Sequence, residues 1–433
     1  MNERGLALHV NADAALVARG ADRFTRGAVH ARINELAAAF YARGVRRALV
    51  WSDDPVDLLR AIGAADVAGA DLFIAHTNLP AAIVDEIAAQ HGVQARIGET
   101  DTFVNADAPP ASGRIYMMTS GTTGKPKIAA HTLDALMSRA RAGAKSAQAA
   151  DSKWLLTYQP TGFAGIQVLL TAVATQGLIV APEQRTPGGF AAAARDHGVT
   201  QISGTPTFWR AFMMVARPSE LALKQITLGG EAADQATLDR LKAAFPNTRV
   251  THIYASTEAG VVFAVHDGRE GFPKAWLDEP PTGVALRIVD GLLQIKSANL
   301  MGGYLGHDAQ PLLDDGWLST ADRCEIAGDR VRILGRDDST INVGGSKVYP
   351  LMVEQFLLQQ TGVVEARVFA VPNPVSGSLV GAEIVFAEDQ DHAEARARVL
   401  AACRDKLASY QVPRVVKIVD QISVRESGKK GAT

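Results

Sequence analysis

The densest chemistry in this chain lies between Tyr116 and Lys127, where Thr119-Ser120-Gly121-Thr122-Thr123-Gly124-Lys125-Pro126-Lys127 follows a short apolar run. Glycines let backbone N–H groups approach an oxyanion, hydroxyls add donors, and lysines bring the charge that a polyphosphate demands. The stretch therefore reads as a phosphate loop. Its spacing excludes the common G-x-x-x-x-G-K-[ST] pattern, because Gly121 stands three residues before Gly124 and Pro126 occupies the place of the required Ser or Thr. A second group, Tyr254-Ala255-Ser256-Thr257-Glu258, follows a buried-strand pattern, where open α/β sheets present ligands at their carboxyl ends. An acid beside a phosphate needs a cation between the two, so Glu258 reads as a Mg²⁺ ligand and Thr257 as a donor to a phosphate oxygen. The plainer alternative is a helix start with Glu favouring the dipole.

A third group is Gly316-Trp317-Leu318-Ser319-Thr320-Ala321-Asp322 together with Gly335-Arg336-Asp337-Asp338. Asp322 can accept both hydroxyls of a ribose, and Arg336 offers a fork of donors to the same sugar or a phosphate. Arg336 can equally pair with a neighbouring acid such as Asp337.

These groups need a frame that brings distant segments together. From Phe24 onward helix-period segments alternate with short apolar runs, the signature of an α/β fold. Thr25 is placed to cap a helix whose Val29, Ile33, Leu36 and Phe40 share one face. Ala48–Trp51, Leu72–Ala75, Trp154–Leu156, Gly177–Val180, Gln201–Ser203, Gln225–Leu228 and Val250–Tyr254 read as strands buried on both faces of parallel sheets. After Gly260 the period shortens: Ala285–Val289, the turn Asp290-Gly291 and Leu292–Ile295 predict a hairpin, and Gly328-Asp329 marks another turn. The last part predicts a helix Pro350–Gln360, strands around Val364–Val371 and Ala382–Phe386, a helix Ala393–Ser409 and a strand Val415–Val419.

The chain has 433 residues, 47% of them hydrophobic, enough for two or three domains with large cores. Lys+Arg 44 against Asp+Glu 46 gives a net charge of -2, which offers no global field for nucleic acid or an anionic membrane. Cys324 and Cys403 stand far apart without metal-ligand spacing, so they read as core residues in a reducing cytoplasm. The greasiest stretch, Ile166–Ala181, is interrupted by Gln167, Gln176 and Gly177, so no membrane span is expected.

The string Thr119–Lys127 resembles the signature of the adenylate-forming enzymes: acyl- and aryl-CoA synthetases, peptide-synthetase adenylation domains and luciferases. Tyr254–Glu258 is similar to the Tyr-Gly-x-Thr-Glu element of that superfamily, with Ala255 for Gly, and Asp322 stands at the end of its Ser/Thr-Gly-Asp, with Ala321 for Gly. The resemblance implies an α/β fold with a large N-terminal domain (1–335, of which 259–335 is a small β subdomain) and a small mobile α+β C-terminal domain (338–433). It makes Asp338 the hinge and Ile341–Pro350 a loop that swings in for a second reaction. The terminal Ser423-Val424-Arg425-Glu426-Ser427-Gly428-Lys429-Lys430 resembles Pro-x-Thr-x-x-Gly-Lys, which implies that Lys429, or its neighbour Lys430, is the catalytic lysine. The N-terminal region is short beside typical relatives, so sheet or helix elements are expected to be absent there.

The implied activity is ATP- and Mg²⁺-dependent conversion of a carboxylic acid to acyl-AMP, then transfer to CoA or to the phosphopantetheine of an acyl-carrier protein. Thr119 to Lys127, Tyr254, Asp322 and Arg336 would hold the nucleotide. Phe163, Ala164, Gly204, Gly229, Gly230 and Ala255 would line the acid pocket. Ala164 stands where amino-acid-activating domains place Asp, and a buried ammonium without a counter-charge is costly, so an aromatic or short-to-medium acyl acid is expected. A phosphate-releasing NTPase and a catalytically impaired nucleotide-binding homologue remain the competing readings.

Overall fold

Thr25 starts the first helix: its hydroxyl accepts from the Ala28 N–H, and Arg26–Arg43 buries Val29, Ile33, Leu36 and Phe40 along one face. Gly44 ends the helix in the left-handed conformation, at φ 61°. In this computed structural model the described residues are 6–119, 126–144, 151–306, 312–313, 315–387 and 390–423.

Arg47–Val50, Asp71–Ile74 and Arg114–Thr119 lie side by side and parallel in a six-stranded sheet, with Ala95–Ile97 parallel on the other flank. Thr102–Phe103 and Lys127–Thr132 close its two edges antiparallel. A second, eight-stranded sheet runs in the order Gly260–Val265, Arg249–Ser256, Gln225–Leu228, Gln201–Gly204, Lys153–Leu155, Leu178–Ala181, Ala15–Arg19, Asp22–Thr25. Its interior pairs are parallel and only its two edge pairs are antiparallel. The strand Ala15–Arg19 lies before the region in which the sequence pattern shows alternation. Its apolar run of four residues is too short to separate from a helix by period alone.

One continuous core joins the sheets. It takes Val17 and Ile179 from one sheet, Val50, Ile74 and Met117 from the other, and Phe40, Leu59 and Leu169 from helices between them. Phe40 is wholly buried, so Phe40→Ala would cost about 3–5 kcal/mol through lost transfer energy and the cavity left behind.

The shorter period after Gly260 becomes a five-stranded antiparallel sheet, in which Val284–Val289 pairs with Leu292–Ser297 across Asp290 (φ 52°) and Gly291 (φ 76°). Two consecutive positive φ angles are those of a type I′ hairpin turn. Beyond residue 340, Ser346–Val348, Ile341–Val343, Gly377–Phe386, Val363–Asn373 and Val415–Ile418 form a separate five-stranded sheet covered by helices Pro350–Leu358 and His392–Lys406. The second helix stops three residues before the expected Ser409, because Leu407 is extended and the Gln411 side chain takes the Ala408 N–H at 3.0 Å.

Cys324 and Cys403 are buried and free, and burial pushes their thiols up to about 12 and about 11. They are inert packing groups. Among the described residues no helix is long and apolar enough to cross a membrane.

Candidate active site

Thr119 closes one strand and Lys127 opens the next, and the two face each other across an antiparallel ladder. The Thr119 hydroxyl reaches the Lys127 carbonyl at 3.4 Å, pinning the two ends of the phosphate loop together. The loop residues Ser120, Gly121, Thr122, Thr123, Gly124 and Lys125 lie outside the described residues. The Lys127 ammonium stands 5.1 Å from the centre of the Tyr304 ring, a cation–π distance.

Tyr304 links this lysine to the acid of the second group, because its phenol donates to Glu258 Oε1. Burial and the facing carboxylate both raise the Tyr304 phenol, so it stays protonated and remains a donor. The backbone of the same segment is stitched to both neighbours: the Met301 N–H donates to the Glu258 carbonyl at 2.9 Å, and the Leu305 N–H to the Ile128 carbonyl at 2.8 Å. No local pattern around Tyr304 announced this role. Its partner is 46 residues away.

The ribose candidate is held as firmly. Tyr254 donates to Asp322 Oδ2, and the Asp322 N–H donates to the Thr320 hydroxyl at 3.1 Å. Burial and Asp322 both raise the Tyr254 phenol. Ala321 takes φ 60°, the left-handed conformation that glycine adopts freely, so the substitution keeps the geometry at a backbone cost of about 1 kcal/mol. Asp322 stands directly opposite Arg336 in the ladder between Leu318–Ala327 and Arg330–Arg336.

Arg336 pairs with Asp338, two N–H groups meeting its two carboxylate oxygens at 3.2 Å each, whereas Asp337 pairs with Arg323 at 2.8 Å. Burial would lower the Arg336 guanidinium, but Asp338, Asp322 and Glu258 outweigh it and hold it raised. That set of acids places Arg336 between the ribose candidate, the metal candidate and the expected hinge. Thr257 and Glu258 sit at the turn between Arg249–Ser256 and Gly260–Val265, at the carboxyl end of a parallel strand.

On the acid side, Phe163 opens the helix Phe163–Ala174 and lies 6.2 Å, ring centre to ring centre, from His131. A small cavity there is lined by His131, Leu136, Phe163, Gln167, Val261 and Asn299. His131 is 2% exposed; its ring faces the Thr257 carbonyl, and neither nitrogen is in good hydrogen-bond geometry among the described residues. Burial pushes its pKa down to about 4, against the pull of the Thr257 carbonyl and the Glu258 carboxylate. Nothing in the sequence marks His131, since a histidine in an apolar strand carries no signal of its own.

Ala164 packs against the main core, and Ala255 lies within the strand Arg249–Ser256. A Cβ on Gly229 would come within 2.9 Å of Ile253, and its carbonyl accepts from the Tyr158 phenol at 3.2 Å. Gly230 is left-handed at φ 83°, and Gly204 packs under the Phe208 ring. Lys429 and Lys430 lie outside the described residues.

Two family models match separate parts of the chain. Residues 99–305 match the family model of the AMP-binding enzymes, and residues 352–429 match that of the AMP-binding enzyme C-terminal domain. Feruloyl-CoA synthase of Amycolatopsis sp is 29% identical over 391 residues, 83% of this chain and 77% of that protein. The 3-[(3aS,4S,7aS)-7a-methyl-1,5-dioxo-octahydro-1H-inden-4-yl]propanoyl:CoA ligase of Rhodococcus jostii (strain RHA1) is 29% identical over 362 residues, 77% of this chain and 67% of its own. An anthranilate CoA ligase solved with anthranoyl-AMP superposes with a TM-score of 0.82 at 18% identity, covering 97% of this chain and 93% of that one.

Proposed function

We propose, for a chain that belongs to the AMP-binding enzymes, ATP-dependent activation of an aromatic or short-to-medium acyl acid as acyl-AMP, followed by transfer to the thiol of CoA. The observation that carries this reading is the meeting of Lys127, Tyr304, Glu258, Arg336 and Asp322, drawn from five separate segments, with Lys127 at a described end of the phosphate loop.

In the proposed first step a carboxylate oxygen attacks the α-phosphorus of ATP and pyrophosphate leaves. Asp322, oriented by Tyr254, takes the ribose hydroxyls. Arg336 and Lys127 supply positive charge to the phosphate oxygens, where charge accumulates. Mg²⁺ would neutralise that charge further, and a single protein carboxylate fits it, since this ion keeps most of its shell as water and substrate phosphate. Glu258 is that carboxylate, and Tyr304 fixes its rotamer. Thr257 adds a hydroxyl beside it. We assign Lys429 to the bridge between the two anions and Asp338 to the hinge, with the domain division on either side of it. In the second step the thiol sulfur attacks the acyl carbon and AMP leaves.

The choice of acid rests on two features: Phe163, Leu136 and Val261 put apolar surface on the cavity, and Ala164, next to Phe163 in the same helix, brings no acid to meet an ammonium. Relatives named for feruloyl-CoA and anthranilate favour an aromatic ring. Incubation with ATP, Mg²⁺ and a panel of carboxylic acids, with CoA in one arm and a phosphopantetheinylated carrier protein in the other, tests both choices by mass spectrometry. Thioester on CoA with a benzoic- or cinnamic-type acid is the expected result. Thioester on the carrier alone, or activation of α-amino acids only, would overturn it.

A further inference from the structure

The large α/β unit and the C-terminal sheet meet at a buried guanidinium. Arg210, in the helix Pro206–Val215, donates from Nε to Glu365 Oε2 at 2.7 Å, and Glu365 belongs to the strand Val363–Asn373 of the C-terminal sheet. From Nη1 the same group donates to Asp234 Oδ2 at 2.9 Å and Thr237 Oγ1 at 3.1 Å, both within the large unit. The Arg210 side chain is 3% exposed, Asp234 2% and Glu365 10%. One cation thus serves two buried carboxylates, one from each unit. Arg240 adds a second tie, donating from Nη2 to the Val363 carbonyl at 2.8 Å.

The arrangement is asymmetric. If the C-terminal sheet moves away, Glu365 leaves with it, while Asp234 stays and keeps Arg210 in a neutral, hydrogen-bonded pair. A buried cation stripped of every partner would be prohibitive, and one that retains a carboxylate is not. Nη2 of Arg210 also donates to the Thr207 hydroxyl at 3.1 Å, which donates in turn to Glu231 Oε2 at 2.7 Å, next to Gly229-Gly230 of the expected acid pocket. We infer that Arg210 is a releasable anchor: it docks the C-terminal unit through Glu365, and Asp234 is the standby partner that makes undocking reversible. The consequence for catalysis, a change in the balance of the two half-reactions, rests on the two-step reading above; the anchor itself does not.

The test uses the full chain with spin labels at Val104→Cys and Val375→Cys, whose parent residues are 58% and 93% exposed, while the native cysteines are buried. Distance distributions by double electron–electron resonance report docking directly, without any substrate. Glu365→Ala leaves the Arg210 Nε donor buried and unmet only in the docked state, so the undocked-to-docked ratio should rise about tenfold. Asp234→Asn removes the standby partner, so the C-terminal unit should stay docked. An unchanged distribution in Glu365→Ala, or equal release in both variants, would overturn the anchor, whereas release in Glu365→Ala alone upholds it. If that release occurs while neither half-reaction is detectable with any acid, the anchor stands and the two-step reading falls.

Discussion

The proposed nucleotide side of the site and its proposed acid side are built on opposite plans. On the nucleotide side each candidate carboxylate meets a donor: Tyr304 donates to Glu258, Tyr254 to Asp322, and Arg336 to Asp338. On the proposed acid side the one ionisable group lining the cavity, His131, is buried facing the Thr257 carbonyl and the Glu258 carboxylate, with neither ring nitrogen in good hydrogen-bond geometry among the described residues. A fixed ligand such as a nucleotide is best served by groups already locked in place, since locking them beforehand removes ordering cost at the moment of binding. The small cavity beside His131 is lined by apolar Phe163, Leu136 and Val261 and by the polar Ser138, Gln167 and Asn299, and in the proposed acid pocket shape and burial would carry selection.

If the nucleotide side works as a prewired unit, its members should fail in graded order. Glu258→Gln keeps the shape and loses the charge, and is expected to lower the adenylation rate about a hundredfold, the equivalent of roughly 3 kcal/mol of transition-state charge stabilisation. Pyrophosphate release at saturating ATP measures this, and undiminished turnover at limiting Mg²⁺ would remove Glu258 from the metal. Asp322→Ala should raise the KM for ATP about 10- to 100-fold through lost charged hydrogen bonds. It should also erase the preference for ATP over 2′,3′-dideoxy-ATP; a preserved preference would place the ribose elsewhere. Tyr304→Phe removes only the donor to Glu258, and about a tenfold loss in kcat is expected, with little change in KM. An unaltered kcat would mean that Glu258 needs no positioning.

The acid side should answer to pH and not to nucleotide. The unfolded His131 titrates near 6.5 and the folded one near 4, so between those values the unfolded chain binds a proton that the folded chain refuses. Stability is therefore lost as pH falls through that window, by up to about 3 kcal/mol from this one group. His131→Phe should flatten the fall in urea midpoint between pH 7 and pH 5. An equally steep fall in the variant would show that His131 is solvated and the cavity wet.

What the sequence disclosed and what it hid divide by distance along the chain. Thr25 with its helix face, the Asp290-Gly291 turn and the acids at 258 and 322 follow from local pattern. The partners do not: Tyr304 lies 46 residues from Glu258, Tyr254 lies 68 from Asp322, and Arg210 lies 155 from Glu365. Tertiary folding alone creates those contacts, and no propensity or period encodes them. Arg336 illustrates the limit at short range as well: local pattern offers it a neighbouring acid such as Asp337 only as the alternative to a nucleotide, and the backbone turn at 337–339 pairs it with Asp338 and leaves Asp337 to Arg323.

The central claim is that the acid itself attacks the α-phosphorus of ATP, with the residues around Glu258 stabilising that displacement. An acid labelled with ¹⁸O in both carboxylate oxygens, turned over with ATP, Mg²⁺ and CoA, tests this directly. One labelled oxygen should appear in the phosphate of AMP, since the bridging oxygen departs with AMP when the thiol attacks the acyl carbon. Label in orthophosphate, or AMP free of label while thioester forms, would contradict it.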